Sequence, residues 1–72
     1  MMFYYNSPVG TFRIEQLGEE SYRLSIDGQD LGTYASPKEA AGVVYDQSTG
    51  FESWDVLGFV HAPSDIGEWD ME

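Results

Sequence analysis

The 72-residue sequence has no cysteine. That absence removes a disulfide staple, a thiolate nucleophile and a thiolate metal site together. Basic residues are nearly as scarce: three Lys plus Arg stand against thirteen Asp plus Glu, for a formal net charge of −10. A field of that sign repels phosphate backbones and anionic headgroups, so direct nucleic-acid or membrane binding is disfavoured and basic partners fit better. No stretch approaches the roughly 18 apolar residues of a membrane span. The opening run Met1-Met2-Phe3-Tyr4-Tyr5-Asn6 lacks the basic flank of an export signal, which makes the cytoplasm the expected location. The single histidine, His61, sits in an apolar Phe59-Val60-His61-Ala62 setting, and there is no Gly-rich phosphate loop. His61 therefore reads as structural, and neither catalysis nor a cofactor or small-molecule substrate is expected. Neither Asp27-Gly28-Gln29-Asp30 nor the run from Asp46 to Glu52 has EF-hand spacing, so no metal site is expected either.

What the chain does have is apolar and aromatic content, 42% and 15% of residues, enough to exclude disorder despite the charge. The length allows one small domain spanning residues 1–72. Phe3-Tyr4-Tyr5 reads as a short strand closed by a turn over Asn6-Ser7-Pro8-Val9-Gly10. Phe12 and Ile14 alternate with Arg13 and Glu15, and Tyr22, Leu24 and Ile26 alternate with Ser21, Arg23 and Ser25. These are half-buried strands. A loop from Leu17 to Ser21 sets Phe12 beside Ile26, Ile14 beside Leu24 and Glu15 beside Arg23. Asp27-Gly28 then makes a two-residue hairpin turn, which predicts Ile26 opposite Gln29, Leu24 opposite Leu31 and Tyr22 opposite Thr33.

The apolar face of this meander needs a cover, and Ser36-Pro37-Lys38-Glu39 reads as an N-cap, a proline at the first helical position and a capping-box glutamate. The spacing of Ala40, Ala41, Val43 and Val44 predicts a helix from about Pro37 to Ser48, ended by Gly50. Phe51, Trp54, Val56-Leu57 and Phe59-Val60 predict a packed, partly extended segment. Pro63-Ser64-Asp65 then starts one helical turn carrying Ile66 and Trp69. The expected fold is α+β: a three-stranded antiparallel sheet with one helix packed on one face, plus an aromatic-rich C-terminal segment.

The stretch from Leu31 to Ala41, Leu-Gly-Thr-Tyr-Ala-Ser-Pro-Lys-Glu-Ala-Ala, carries two resemblances. Across nearly its full length the chain resembles a group of small acidic bacterial proteins. They share an aromatic N-terminal run, a Pro-Val-Gly-Thr-Phe step, this strand-to-helix junction and a Thr-Gly followed by Trp-Asp; the group implies no activity. Over about residues 11 to 50, the order of three strands and a helix resembles the plant AP2 DNA-binding domain and the arm-binding domains of phage integrases. That likeness implies the layout. In those domains the open sheet face bears arginines and tryptophans for the major groove, whereas the corresponding positions here hold Arg13, Glu15, Arg23, Ser25 and Asp30. Without the basic stripe, DNA binding does not follow.

Three features are candidates for function. Arg13 and Arg23, with Tyr34 beside them, form a cationic and aromatic cluster on the open sheet face that holds an anion or a partner carboxylate, unless Arg23 merely pairs with Glu15 across the strands. The aromatic surplus, with Phe3, Tyr4, Tyr5 and Trp54 foremost, exceeds what so small a core absorbs and points to a partner or a second copy, unless the last third of the chain covers it. The acidic residues, Asp65, Glu68, Asp70 and Glu72 in the tail with Asp27, Asp30, Asp46 and Asp55 elsewhere, either keep the domain soluble or imitate a nucleic acid, −10 matching about five base pairs. The leading reading is a non-catalytic protein-protein interaction module, homodimeric or bound to a protein partner, with Phe3, Tyr4, Tyr5, Arg13, Arg23, Tyr34 and Trp54 in contact. The alternative is an acidic nucleic-acid mimic that occupies a basic DNA- or RNA-binding protein.

Overall fold

The computed structural model describes residues 2–57, 62–63 and 65–71. His61, Phe59 and Val60 lie outside the described residues. The fold is α+β, but its antiparallel sheet has five strands rather than three, in the order β4-β3-β2-β1-β5. The strands are β1 (Met2–Ser7), β2 (Gly10–Gly18), β3 (Ser21–Ile26), β4 (Gln29–Tyr34) and β5 (Asp70–Met71). Helix α1 (Pro37–Tyr45) and a four-residue helix α2 (Glu52–Asp55) follow the meander. A single 3-10 turn, Ile66–Glu68, precedes β5.

The two strands beyond the expected meander come from opposite ends of the described chain. β1 is the outer half of a hairpin with β2, pairing Phe3 with Ile14, Tyr4 with Arg13 and Tyr5 with Phe12. Its turn is fastened from within and from a neighbouring turn: the Ser7 hydroxyl donates to the Gly10 carbonyl at 2.6 Å, and the Thr11 amide donates at 3.1 Å to the carboxylate of Asp27, between β3 and β4. β5 adds Met71 opposite Phe3 and Asp70 opposite Tyr4.

Between β2 and β3 the observed pairs are Phe12 with Ile26, Ile14 with Leu24 and Glu15 with Arg23, in the expected register. Leu17 is a bulge beside a tight turn at Glu19-Glu20, rather than the start of a three-residue loop. The Asp27-Gly28 turn pairs Ile26 with Gln29, and both turn residues have positive φ, 47° and 88°. Ser25 still meets Asp30, but beyond that pair the expected register fails: Leu24 meets Gly32 and Tyr22 meets Tyr34. The cause is a bulge between Leu24 and Ser25 that leaves Leu31 without an opposite residue, made possible by Gly32 at φ 132°. The slip turns Tyr34 to the core face and Thr33 to the other.

The core lies between one sheet face and the helices. Phe12, Ile14, Leu24 and Ile26 from the sheet bury against Ala40, Ala41 and Val44 of α1, Trp54 of α2, and Ala62 and Trp69. α1 begins as its sequence dictates: the Ser36 hydroxyl accepts from the Glu39 amide, and the Glu39 carboxylate accepts from the Ala35 amide. It ends earlier than expected, with Gln47 rather than Gly50 taking the left-handed cap at φ 56°. Gln47 and Ser48 donate to the carbonyls of Val44 and Val43, a Schellman pattern. The Gln47 side chain is held by bonds to the carbonyls of Trp54 and Leu57. Asp55 fastens the same junction, accepting from the Thr49 amide and hydroxyl and from the Gly50 amide.

Gly42, inside α1, weakens the helix without a packing reason, because a Cβ there meets nothing within 4 Å. Gly42→Ala is expected to stabilise the fold by about 0.5–1 kcal/mol, seen as a Tm higher by about 3–6 °C in thermal unfolding. An unchanged or lowered Tm shows that the position is not free.

Candidate functional site

Period-two alternation divides each strand between two faces, and the face away from the helices has a distinct chemistry. Met2, Tyr4 and Asn6 of β1, Thr11, Arg13 and Glu15 of β2, and Arg23 and Ser25 of β3 share it, with Asp30 of β4 at one side. Two adjoining grooves mark this face. One, of about 370 Å³, is lined by Met2, Arg13, Glu15, Arg23, Ser25, Gly28 and Asp30. The other, of about 170 Å³, is lined by Met2, Tyr4, Asn6, Thr11 and Arg13. Arg13 and Met2 are walls of both.

The two arginines are in different states. Arg23 bonds Glu15 at 2.5 Å in a pair whose side chains stay 43% and 45% exposed. At that exposure the pair contributes about 0–1 kcal/mol. Arg13, diagonal to it, is exposed and has no ion-pair partner among the described residues. Two of the three basic side chains of a −10 chain thus share one face, and one of them is free to meet an external acceptor.

The other expected contact residues go elsewhere. Tyr34 is opposite Tyr22 on the helix-covered face and packs against the core, so it does not accompany Arg13 and Arg23. Phe3 and Tyr5 also turn inward; Tyr5 stacks on Phe12 at 6.4 Å and meets the rings of Trp54 and Trp69 at 6.2 and 5.6 Å. Trp54 is fully buried, its indole N–H donating to the Val44 carbonyl at 2.9 Å. Of the aromatic residues expected at a partner surface, the open face keeps Tyr4. It gains Asp70, which by sequence belongs to an acidic tail and which β5 sets beside Tyr4. The signal for Met2 and Asp70 was absent from the alternation, because β1 is aromatic on both faces and β5 is two residues long.

Among the described residues no three His, Asp or Glu side chains gather as a metal site would require, and no helix is long and apolar enough to cross a membrane. No protein-family model, curated protein or solved structure matches the chain.

Proposed function

We propose that this chain is a non-catalytic protein-interaction module that docks a partner on the open face of its sheet. The observation that carries the reading is the placement of Arg13, exposed and without an ion-pair partner among the described residues, between two grooves and next to Tyr4. The rest of the surface favours a partner that is basic overall, since a body of charge −10 attracts and steers one. An arginine and a tyrosine within such a surface are the side-chain types that anchor interfaces.

The test compares retention of cellular proteins by the immobilised native chain, by a Tyr4→Ser/Arg13→Ser variant, and by a Glu19→Ser/Glu20→Ser variant altered at the distant β2–β3 turn. The expected result is a protein partner kept by the native chain and the turn variant but lost by the open-face variant. Retention by the open-face variant together with salt-sensitive loss by the turn variant overturns the reading, and makes the carboxylates, as in a nucleic-acid mimic, the recognised feature.

A further inference from the structure

The open face has an order of charges as well as a set of them. Register places Asp70, Tyr4, Arg13, Ser25 and Asp30 side by side, one on each strand from β5 through β1, β2 and β3 to β4. Arg13 is the centre of that row, and a carboxylate stands at each end. Neighbouring strands are about 4.8 Å apart, so each carboxylate-bearing residue lies roughly 10 Å from Arg13 across the sheet. Arg23 in the next row is already engaged by Glu15 and does not alter the sequence negative, positive, negative.

This order decides between occupants. A second copy laid face to face with full overlap about a two-fold axis sets the row against itself, directly or reversed. Both arrangements bring Arg13 to Arg13 and carboxylate to carboxylate, a like-charge juxtaposition that suppresses pairing. A uniformly basic segment satisfies Asp70 and Asp30 but meets Arg13 with its own sign. Resting on the docking face argued above, we propose that the partner segment is basic at two points with a single carboxylate between them, each basic group roughly 10 Å from that carboxylate. In a polyproline-II chain, which rises about 3.1 Å per residue with three residues per turn, this is a spacing of three residues on either side, with all three groups on one face. The guanidinium of Arg13 then receives the carboxylate through parallel N–H donors, while the two basic groups answer Asp70 and Asp30.

The experiment titrates the isotope-labelled full chain with two synthetic peptides, followed by amide chemical shifts. One peptide has lysine at its first and seventh positions, aspartate at its fourth and Gly or Ser between; the other has asparagine for the aspartate. The second peptide is the more positive, so general attraction to an acidic protein favours it. The expected result is the reverse: the aspartate peptide binds about fivefold more tightly, shifts the amides of Tyr4, Arg13, Ser25 and Asp30, and loses its advantage against Arg13→Gln. Equal or tighter binding of the asparagine peptide, with shifts still on the open face, overturns the charge order while leaving the docking face in place. Shifts scattered over the acidic surface overturn both. A dimer in light scattering that Tyr4→Ser splits also overturns the proposal, since a second copy then occupies the face.

Discussion

Replacing Trp54 by alanine is expected to cost about 3–5 kcal/mol, against roughly 4–11 kcal/mol of total stability for a chain this long. Trp54 is the largest fully buried side chain, supplied by a helix of four residues that could not stand without it. Its ring lies edge-on to Phe12 at 5.2 Å and to Tyr5 at 6.2 Å, so it joins the α2 segment to both β2 and β1. Trp54→Phe retains most of that contact and gives up the bond to the Val44 carbonyl, which also accepts from Gln47; its cost is expected at about 1–2 kcal/mol. Urea unfolding of the two variants followed by circular dichroism measures both values. A loss below about 1 kcal/mol for Trp54→Ala shows that the core closes over the vacated space, contrary to close packing around the ring.

Gly10→Ala is expected to be the most damaging change outside the core, at about 2–3 kcal/mol. Gly10 opens β2 with φ 143°, a backbone conformation that side chains other than hydrogen rarely adopt. A Cβ there stands 2.4 Å from the Asp27 carboxylate oxygen and 3.1 Å from Ile26. Asp27 cannot yield freely, because it accepts from the Thr11 amide and occupies the β3–β4 turn. A double-mutant cycle with Asp27→Ala separates the two causes. Removal of the carboxylate is expected to recover about 1 kcal/mol of the loss, and recovery of all of it removes backbone strain from the account.

The middle of the chain was legible in its residues, and the reasons are local. Phe12, Ile14, Leu24 and Ile26 alternate with polar neighbours, Asp27-Gly28 suits a primed turn, and Ser36-Pro37-Lys38-Glu39 satisfies helix-start chemistry; each signal lies within a few residues. The outer strands carried no comparable signal. Phe3-Tyr4-Tyr5 has rings on both faces, so alternation cannot show which are buried, and β5 is too short for any period. The β3–β4 slip depends on Gly32 at positive φ, which an isolated glycine does not announce. The same gaps bear on the site: alternation puts Arg13 and Arg23 on the open face, as the strand register does, whereas Tyr34 turns inward with the bulge and Asp70 joins through β5. Trp54 is buried for a different reason. Three small or medium side chains on α1, Ala40, Ala41 and Val44, leave space beneath the sheet for its ring as well as for Phe12.

The attachment of β5 has a consequence for how the molecule opens. The hairpins joining β1 to β4 share ladders of five or six residue pairs, whereas β5 meets β1 through two pairs alone, Phe3 with Met71 and Tyr4 with Asp70. Amide hydrogens that depend on β5 are therefore expected to exchange by local opening, while those between β2 and β3 wait for the whole domain to unfold. In such an opening Asp70 leaves the end of the charged row, and the neighbouring backbone edge of β1 is exposed for as long as the strand is away.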